Sequence, residues 1–419
     1  MSKVIYGLDF GTTNTAISIV RDNTCEVLPI GANGRPTVPS LIFFPDYGGE
    51  ILIGQNAIDG YLNSGMNGRL MQSIKTFLPE KNFKGTDVGG QLGFATLERL
   101  ISVILRFVKD QADAYVDEPV TEVVMGRPAL FSSDPEKDAL AEGRLVEAAR
   151  LAGFEQIHIQ KEPIAAAFDY ERRIGGEEIA FIADFGGGTS DFTVMRLGPD
   201  HVDKADRSTD ILGVDGVYVG GNNFDASIMW HRLIKYFGSE SEFKEWNRWL
   251  PMPRHLMRDL CRWQRITLLK DRKTREFVQR LQRLSNDPEA INRLITLIEE
   301  NLGFSLFQAI EQAKRDLSSD MDTRLVFNES VIAIDEKISR PDFEDLSDTH
   351  ITDIKSCIDQ LLATSGLTAD QIDSFFITGG TSYIPAVQQV LTDTFGVEKM
   401  RTGDAFISVA AGLALSRGD

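Results

Sequence analysis

The sequence predicts an α/β protein made of two related lobes that face each other. The chain has 419 residues, which exceeds the roughly 250–300 residues at which a single hydrophobic core stops growing. Its composition, 42% hydrophobic and 25% charged, is that of an ordinary globular protein. One pattern of strands and glycines also occurs twice, and a duplicated unit predicts two similar halves.

The duplicated pattern begins with an apolar strand that ends in Asp-Phe-Gly. The first copy is residues 4–20 (VIYGLDFGTTNTAISIV) and the second is residues 179–195 (IAFIADFGGGTSDFTVM). In each copy a short Gly/Thr turn leads into a second run with strand-like alternation, which predicts a β-hairpin. Each hairpin is followed later by an apolar strand that stops at glycine before a helix-like segment, at 121–129 and 373–385.

Helices are predicted between these strands. Apolar residues recur at helical spacing over 97–116, and residues 134–152 open with Asp-Pro and close near Gly153. A helix over 163–173 starts with proline and ends at Gly175-Gly176, which predicts a lobe junction. We therefore expect lobe I at 1–174, lobe II at 175–398, and a C-terminal segment at 399–419, with a helix at 405–416, that returns to lobe I.

A helical, polar insertion is predicted in lobe II at about 238–301. Between Arg254 and Arg283, ten Lys and Arg residues stand against three Asp and Glu, a local charge of +7 in a chain of net charge -18. Arg254, Arg258 and Arg262 follow at i, i+4 spacing, so we expect them on one helix face. A solvated face explains this pattern, and a docking surface for an acidic protein partner is the alternative.

Charge and cysteine content restrict the compartment and the partners. The net charge of -18 repels a polyanion and disfavours nucleic acid as the main partner. Cys25, Cys261 and Cys357 lie far apart, which indicates neither a disulfide framework nor a zinc site. The N-terminus lacks the pattern of a cleaved signal, and no apolar run approaches the ~18 residues of a membrane span. We expect a cytoplasmic protein without a membrane partner.

The two predicted hairpin tips suit phosphate binding. They are Gly11-Thr12-Thr13-Asn14 and Gly186-Gly187-Gly188-Thr189. Phosphate is held well by backbone N–H groups that converge in a tight turn, which requires residues without bulky side chains. Either tip alone could be an ordinary Gly-rich turn. Because both occupy the same place in a repeated unit, we predict a phosphate clamp.

An aspartate precedes each tip, Asp9 and Asp184. Since Mg²⁺ keeps several waters and binds through few carboxylates, these two could hold the water shell of the metal; an Asp that caps its own turn is the alternative. Other phosphate motifs are missing: there is no G-x-x-x-x-G-K-[ST], and Gly186–Gly188 does not continue as G-x-G-x-x-G. Asp-Phe-Gly lacks the accompanying motifs of a protein kinase.

Five groups of segments resemble the nucleotide-binding domain of the Hsp70 family, over nearly the whole chain. They are 7–15 (GLDFGTTNT), 74–75 (IK), 162–167 (EPIAAA), 184–191 (DFGGGTSD) with 220–225 (GGNNFD), and 311–319 (EQAKRDLSS) with 379–385 (GGTSYIP). The resemblance implies a two-lobed actin-like ATPase fold with duplicated ribonuclease H-like domains. It also implies binding of ATP or ADP with Mg²⁺ and slow ATP hydrolysis.

The resemblance also implies a role for each matching residue. Thr12 and Thr13 hold phosphate with the loop of Gly186, Gly187, Gly188 and Thr189, next to Gly11 and Asn14. Lys75 lies beside the γ-phosphate and helps to place the attacking water. Asp9, Asp184 and Glu162 surround the magnesium, and Thr189 with Asp184 orients the nucleophile. The residues implied around the nucleoside are Glu311, Lys314, Arg315, Ser318, Gly220, Gly221, Gly379, Gly380 and Tyr383.

Several positions depart from the family pattern. Tyr383 replaces the usual arginine against the adenine, and Asn222-Asn223 replaces two carboxylates. The segment 238–301 is longer than usual, and we expect the protein to lack the linker and the β-rich substrate domain of the family. We therefore expect an ATPase that acts as a chaperone-type switch read by a protein partner. A sugar-type kinase of the same fold and an actin-like polymerising ATPase remain alternatives.

Overall fold

The structure is a computed structural model that describes residues 4–21, 24–46, 48–89, 92–202, 204, 207–402 and 407–416. The chain divides into two compact units. The first unit comprises residues 1–220, 353–382 and 387–419, and the second comprises residues 221–352 and 383–386. The lobe boundaries at residues 174 and 398 stay predictions.

The strands are short to medium in length, and most lie in the first unit. In chain order they are β1 (Ile5–Phe10), β2 (Asn14–Arg21), β3 (Thr24–Val27), β4 (Thr37–Pro39), β5 (Leu41–Phe44), β6 (Leu52–Ile53), β7 (Arg69–Gln72), β8 (Thr86–Asp87), β9 (Phe94–Ala95), β10 (Glu122–Arg127), β11 (Gln156–Lys161), β12 (Glu178–Phe185), β13 (Ser190–Leu197), β14 (Ile211–Val217), β15 (Glu242–Glu245), β16 (Arg248–Pro251), β17 (Asp322–Glu329), β18 (Ile332–Ser339), β19 (Ser374–Thr378) and β20 (Met400–Thr402).

The helices alternate with these strands. They are α1 (Gln55–Asn63), α2 (Leu97–Val116), α3 (Pro135–Ala152), α4 (Glu162–Glu171), α5 (Gly221–Ile228), α6 (Arg254–Leu260), α7 (Trp263–Ile266), α8 (Arg272–Leu284), α9 (Pro288–Glu299), α10 (Gly303–Ser319), α11 (Arg340–Ser365), α12 (Pro385–Phe395) and α13 (Ser408–Ser416). A 3-10 helix, Ile74–Phe77, follows β7.

The first unit contains two sheets with the same strand order. One sheet runs β3-β2-β1-β10-β11, with β4 also on β2, and the other runs β14-β13-β12-β19-β20. In each sheet the first three strands are antiparallel, and the last two run parallel to the central strand. The predicted duplication is therefore confirmed, and the two Asp-Phe-Gly segments end equivalent central strands.

Two of the predicted helices begin and end where their capping residues lie. Helix α2 begins after Thr96, whose Oγ1 accepts a hydrogen bond from the Arg99 N–H. Helix α3 begins after Asp134, which accepts from the Glu136 N–H, and ends at Gly153 with φ of 104°. Both patterns are the expected helix caps. The predicted helix at 405–416 is described from Ser408 onward, and residues 405–406 lie outside the described residues.

Helices α4 and α13 cross at very close range in the first unit. A Cβ built at Gly412 on α13 would overlap the carbonyl oxygen of Ala165 on α4, and one at Gly7 on β1 would stand 2.7 Å from the Ala410 oxygen. Both helices contribute to a core that also contains Phe376 from the second sheet. Because interiors are close-packed, only small residues allow this approach. The crossing fixes the start of α4, where Glu162 is the first residue.

The second unit is largely helical, with two antiparallel hairpins, β15–β16 and β17–β18. Its core includes the buried side chains of Phe224, Phe237, Leu260 and Ile291. The predicted helical insertion is present in α6 to α9, but residues 242–251 form the β15–β16 hairpin, so the prediction of helix was wrong there. Arg254 and Arg258 lie on α6, whereas Arg262 falls just beyond its end.

Candidate functional site

The first unit brings the two predicted hairpin tips together. A Cβ built at Gly187 would overlap Oγ1 of Thr13, and one built at Gly188 would stand 3.3 Å from Oγ1 of Thr12. Any larger side chain in the second tip would push against the first. The glycines therefore let two equivalent β-turns approach side by side.

Each tip is braced by a hydroxyl group that the sequence analysis did not select. The Ser40 hydroxyl donates to the Gly11 carbonyl at 2.8 Å, and the Ser40 N–H donates to the Thr13 carbonyl at 2.8 Å. In the second tip, the Thr381 hydroxyl donates to the Gly186 carbonyl at 2.8 Å. These bonds fix the turns in place. Ser40 and Thr381 are far from the tips in sequence, so no local pattern indicates them.

Gly220 supports the second tip from behind. A Cβ at this position would stand 2.6 Å from both the Gly187 carbonyl carbon and the Gly188 nitrogen. Since the nearest atoms are backbone, no side-chain rotation could relieve the overlap. The sequence-predicted Gly220 thus lies at the site because the chain after β14 must pass against the loop.

Lys75 and Glu162 form a buried ion pair next to the tips. Lys75 lies on the 3-10 helix that follows Ser73, which has a left-handed φ of 55°. Glu162 is the first residue of α4, directly after β11. The Lys75 Nζ donates to the Glu162 Oε1 at 2.6 Å, and each side chain is only 8% exposed. A buried charge pair of this kind is held by its surroundings rather than by water.

Four carboxylates surround this single lysine, and their mutual repulsion contributes to raised pKa values in the cluster. Burial first, and then the charge of Glu162, raises the pKa of Asp9 to about 7. The same causes raise the pKa of Asp191 to about 7, and they hold the pKa of Asp184 well above its usual value. Burial by itself would lower the pKa of Lys75, but the neighbouring carboxylates outweigh it and raise that pKa. The cluster therefore has an excess of negative charge over positive charge.

Asp191 is the carboxylate of this cluster that the sequence analysis did not select. It pairs directly with Asp184 across the β12–β13 hairpin. One carboxylate oxygen accepts the Ala129 N–H at 2.6 Å, and the other accepts the Thr189 hydroxyl at 2.7 Å. The length of the hairpin loop would have predicted this position, because a hairpin that pairs Phe185 with Ser190 must also pair Asp184 with Asp191.

The donor set fits a hydrated magnesium ion better than a directly ligated one. Within the described residues, no three His, Cys, Asp or Glu side chains are grouped closely enough to hold a metal ion. Yet Asp9, Glu162 and Asp184 influence one another electrostatically. Carboxylates that repel each other at this range are stabilised by a cation between them, and Mg²⁺ commonly keeps its waters.

The glycines implied under the adenosine lie at the end of β19 in the first unit. Gly379 has φ of 84°, and a Cβ there would stand 3.0 Å from the Asp184 Oδ1 and would overlap the Phe185 carbonyl oxygen. Gly380 begins the next turn. Only glycine adopts this conformation in so little space, so the strand end lies directly beside Asp184.

The remaining predicted nucleoside residues belong to the second unit. Four of them are on α10: Glu311, Lys314, Arg315 and Ser318. Lys314 pairs with Asp225 at 2.7 Å and donates to the Gly221 carbonyl at 3.2 Å. Arg315 pairs with Glu311 at 2.6 Å, and Ser318 donates to the Lys314 carbonyl. Tyr383 is about half exposed. Their contacts with a nucleoside stay predictions.

These features define a class of protein before any comparison is made. Two sheets of identical order, each with a Gly/Thr hairpin tip, and two tips in contact beside acidic side chains form the architecture of the actin-like ATPases. The chain matches the family described as "Hsp70 protein" over residues 5–254 and 296–418. The chain therefore belongs to the Hsp70 family. Residues 255–295, within the predicted insertion, fall outside the match.

Similar curated proteins carry the name "Chaperone protein DnaK". Two of them, from different strains of Thermus thermophilus, are 28% and 27% identical to this chain over 445 aligned positions. Each alignment covers 100% of this chain and 61% of the relative. The chain thus spans about three fifths of the length of the curated relatives it matches. In the described part of the chain, no helix is both long and apolar enough to cross a membrane.

Proposed function

We propose that this chain binds Mg-ATP at the two hairpin tips, hydrolyses it slowly, and acts as a nucleotide-dependent chaperone-type switch. The observation that carries the proposal is the contact between the tips, Gly187 against Thr13, next to the Lys75–Glu162 pair. Membership of the Hsp70 family supports it. We place this activity in the cytoplasm and assign its readout to a protein partner, with neither nucleic acid nor a membrane involved.

The phosphates would be held mainly by backbone groups. Gly11–Asn14 and Gly186–Thr189 offer N–H donors from two sides, and Ser40 and Thr381 keep both turns rigid. Rigid donors are effective because they need no reorganisation when charge develops in phosphoryl transfer. Thr12 and Thr13 add hydroxyl groups at the point where the tips meet.

The charged residues would have separate roles at the phosphates, the metal and the attacking water. Lys75 supplies a fixed positive charge for the γ-phosphate, since its raised pKa keeps it protonated. Asp9, Glu162 and Asp184 would hold the water shell of Mg²⁺, which when bound neutralises phosphate charge. The Thr189 hydroxyl donates to Asp191, so its oxygen lone pairs remain free to accept a hydrogen bond from the attacking water. Thr189 and Asp184 would thereby orient the nucleophile.

A sugar-type kinase would need a carboxylate that is free to act as base toward a substrate hydroxyl. Asp191 is the clustered carboxylate without a proposed role at the metal, and hydrogen bonds from Ala129 and Thr189 hold its two oxygens on its own chain. We therefore expect water rather than a sugar to be the nucleophile. Addition of sugars and small alcohols to the ATPase assay should therefore leave the turnover unchanged.

The direct test compares ATP turnover of the wild type with that of Lys75→Ala, with Lys84→Ala as a matched control. Lys84 is an exposed lysine of the same lobe. Loss of one preorganised charge should lower turnover by about 100-fold, while calorimetry should still detect nucleotide binding. Equal turnover of wild type and Lys75→Ala would remove Lys75 from the site and contradict the proposed chemistry.

A further inference from the structure

The insertion of the second unit exposes two tryptophans and several cations within one short stretch of sequence. We define this insertion surface by the exposed side chains of Lys244, Trp246, Arg248, Trp249, Arg254 and Arg258. Trp246 is 92% exposed and Trp249 is 49% exposed. Scattered exposed apolar residues are ordinary, but two neighbouring tryptophans among cations are not.

The β15–β16 hairpin separates a buried face from an exposed face. Phe243 pairs with Leu250 across the strands, and Phe243 is 8% exposed. On the opposite face Lys244 pairs with Trp249, and both side chains are exposed. Trp246 lies at the tip between the strands. The hairpin therefore packs through one face and presents Lys244 and both tryptophans on its outside.

The hairpin is held firmly on α8. Glu245 pairs with Arg280 of α8 at 3.0 Å. After the end of α8, Asn286 donates its N–H to the Glu242 carbonyl and accepts the Glu242 N–H, each at 2.9 Å. The His255 ring of α6 stacks on Phe277 of α8. A rigid base means that little side-chain or loop order would be lost when a partner binds.

The backbone at Trp246 is strained without an internal reason. Its φ is 56°, in the left-handed region that favours glycine and asparagine. Its side chain contributes almost nothing to the core, because it is nearly fully exposed. A bulky residue kept in such a conformation points to a role outside the fold.

The cations of this surface lack internal counter-charges. Arg254 and Arg258 lie on the outside of α6, opposite the buried Leu256 and Leu260. Within the described residues, neither arginine forms an ion pair, and the same holds for Lys244 and Arg248, whereas Arg265 pairs with Asp259. Unneutralised positive charge is thus concentrated here, in a chain with a net charge of -18.

We propose that the insertion surface docks a short acidic segment of a protein partner, with aromatic or aliphatic side chains between its carboxylates. The arginines complement the carboxylates, and the tryptophans provide apolar contact; Trp and Arg are the residues most enriched at binding hot spots. A nucleic acid would extend past the surface into the acidic remainder of the chain, whereas a short peptide ends within it. This docking does not depend on ATP hydrolysis.

The test is a selection of random dodecapeptides displayed on phage, followed by fluorescence titration of the enriched peptides at low and high salt. The enriched sequences should be acidic and should contain aromatic or aliphatic residues. Their binding should weaken with salt, as for exposed charge pairs. Enrichment of neutral or basic peptides, or tighter binding of a single-stranded dodecanucleotide than of the peptides, would overturn the proposal.

Two substitutions separate docking from folding. Trp246→Gly relieves the left-handed strain, so the fold should be at least as stable, yet peptide binding should fall by about tenfold or more. Arg258→Glu should lower the affinity similarly. The matched controls are Phe94→Ala, an exposed aromatic of the first unit, and Arg35→Glu, an exposed arginine there. Unchanged binding in Trp246→Gly, or a dimer of the wild type that Trp246→Gly dissociates, would refute the docking of a peptide.

Discussion

The buried Lys75–Glu162 pair allows a prediction that separates its structural role from its chemical role. In the wild type the Lys75 Nζ lies 2.6 Å from the Glu162 Oε1. In Lys75→Ala the Glu162 carboxylate stays buried without this counter-charge, and the charges of Asp9 and Asp184 repel it. Removal of one partner of a buried ion pair costs roughly 3–5 kcal/mol. In Glu162→Gln the lysine keeps a hydrogen-bond acceptor, and a further Lys75→Ala should then cost only about 1 kcal/mol.

The two substitutions should therefore be coupled by about 2–4 kcal/mol. The assay is equilibrium urea unfolding of the wild type, both single variants and the double variant, without nucleotide. Circular dichroism should report the change. All four tryptophans, Trp230, Trp246, Trp249 and Trp263, belong to the second unit, so circular dichroism rather than tryptophan fluorescence is the direct probe of the first unit. The double variant should recover stability but not ATP turnover. A coupling below about 0.5 kcal/mol would refute the buried pair.

Three further predictions follow from the packing and the charges of the first unit. Gly187→Ala places a methyl group against Thr13. The fold should persist because the Thr13 hydroxyl can rotate away, but the nucleotide affinity measured by calorimetry should fall at least about tenfold. An affinity equal to that of the wild type would contradict contact between the tips. Gly412→Ala forces a methyl group onto the Ala165 backbone and should destabilise the fold by about 2 kcal/mol or more in urea unfolding. The control, Gly143→Ala, has open space around it on α3 and should stabilise the fold slightly. Equal effects of the two substitutions would show that the α4–α13 crossing is not closely packed. Burial raises the pKa of Asp9 and of Asp191 to about 7, above the pKa of exposed carboxyls, so the ligand-free fold binds protons more tightly than the unfolded chain. The free energy of unfolding should therefore fall by about 1 kcal/mol per such group as the pH rises from about 6 to about 8. Asp191→Asn should flatten this dependence, and a free energy of unfolding that rises over that interval would contradict the raised pKa values.

The duplicated core could be predicted from sequence because its signals are local and repeated. Asp-Phe-Gly ended the central strand of each sheet, and the strand period together with a Gly/Thr turn defined each hairpin. Helices α2 and α3 were predictable because Thr96, Asp134 and Gly153 cap their ends. These elements carry their own start and stop signals.

The β15–β16 hairpin was missed for an equally physical reason. Its tip holds Trp246 at positive φ where a hairpin usually has Gly or Asn, and the charged Glu242 and Lys244 occupy the outer positions of β15. The local pattern therefore favoured a polar helix. The strand pairing is stabilised by tertiary contacts with α8 and the residues after it, through Glu242, Phe243 and Glu245.

The candidate site was predictable in its tips but not in its braces. The glycines and threonines predicted the phosphate loops, whereas Ser40, Asp191 and Thr381 act through contacts between distant segments. Asp191 alone had a detectable signal, the hairpin register opposite Asp184. The other two depend on tertiary structure that the local sequence does not encode.

Binding of Mg-ATP at the hairpin tips is best tested by calorimetric titration of ATP into the ligand-free chain, in Mg²⁺ and again in excess chelator, with wild type, Gly187→Ala and Gly143→Ala side by side. We predict magnesium-dependent binding to wild type and Gly143→Ala, and strongly weakened binding to Gly187→Ala. No binding to the wild type, binding that ignores magnesium, or equal binding to all three proteins would contradict it.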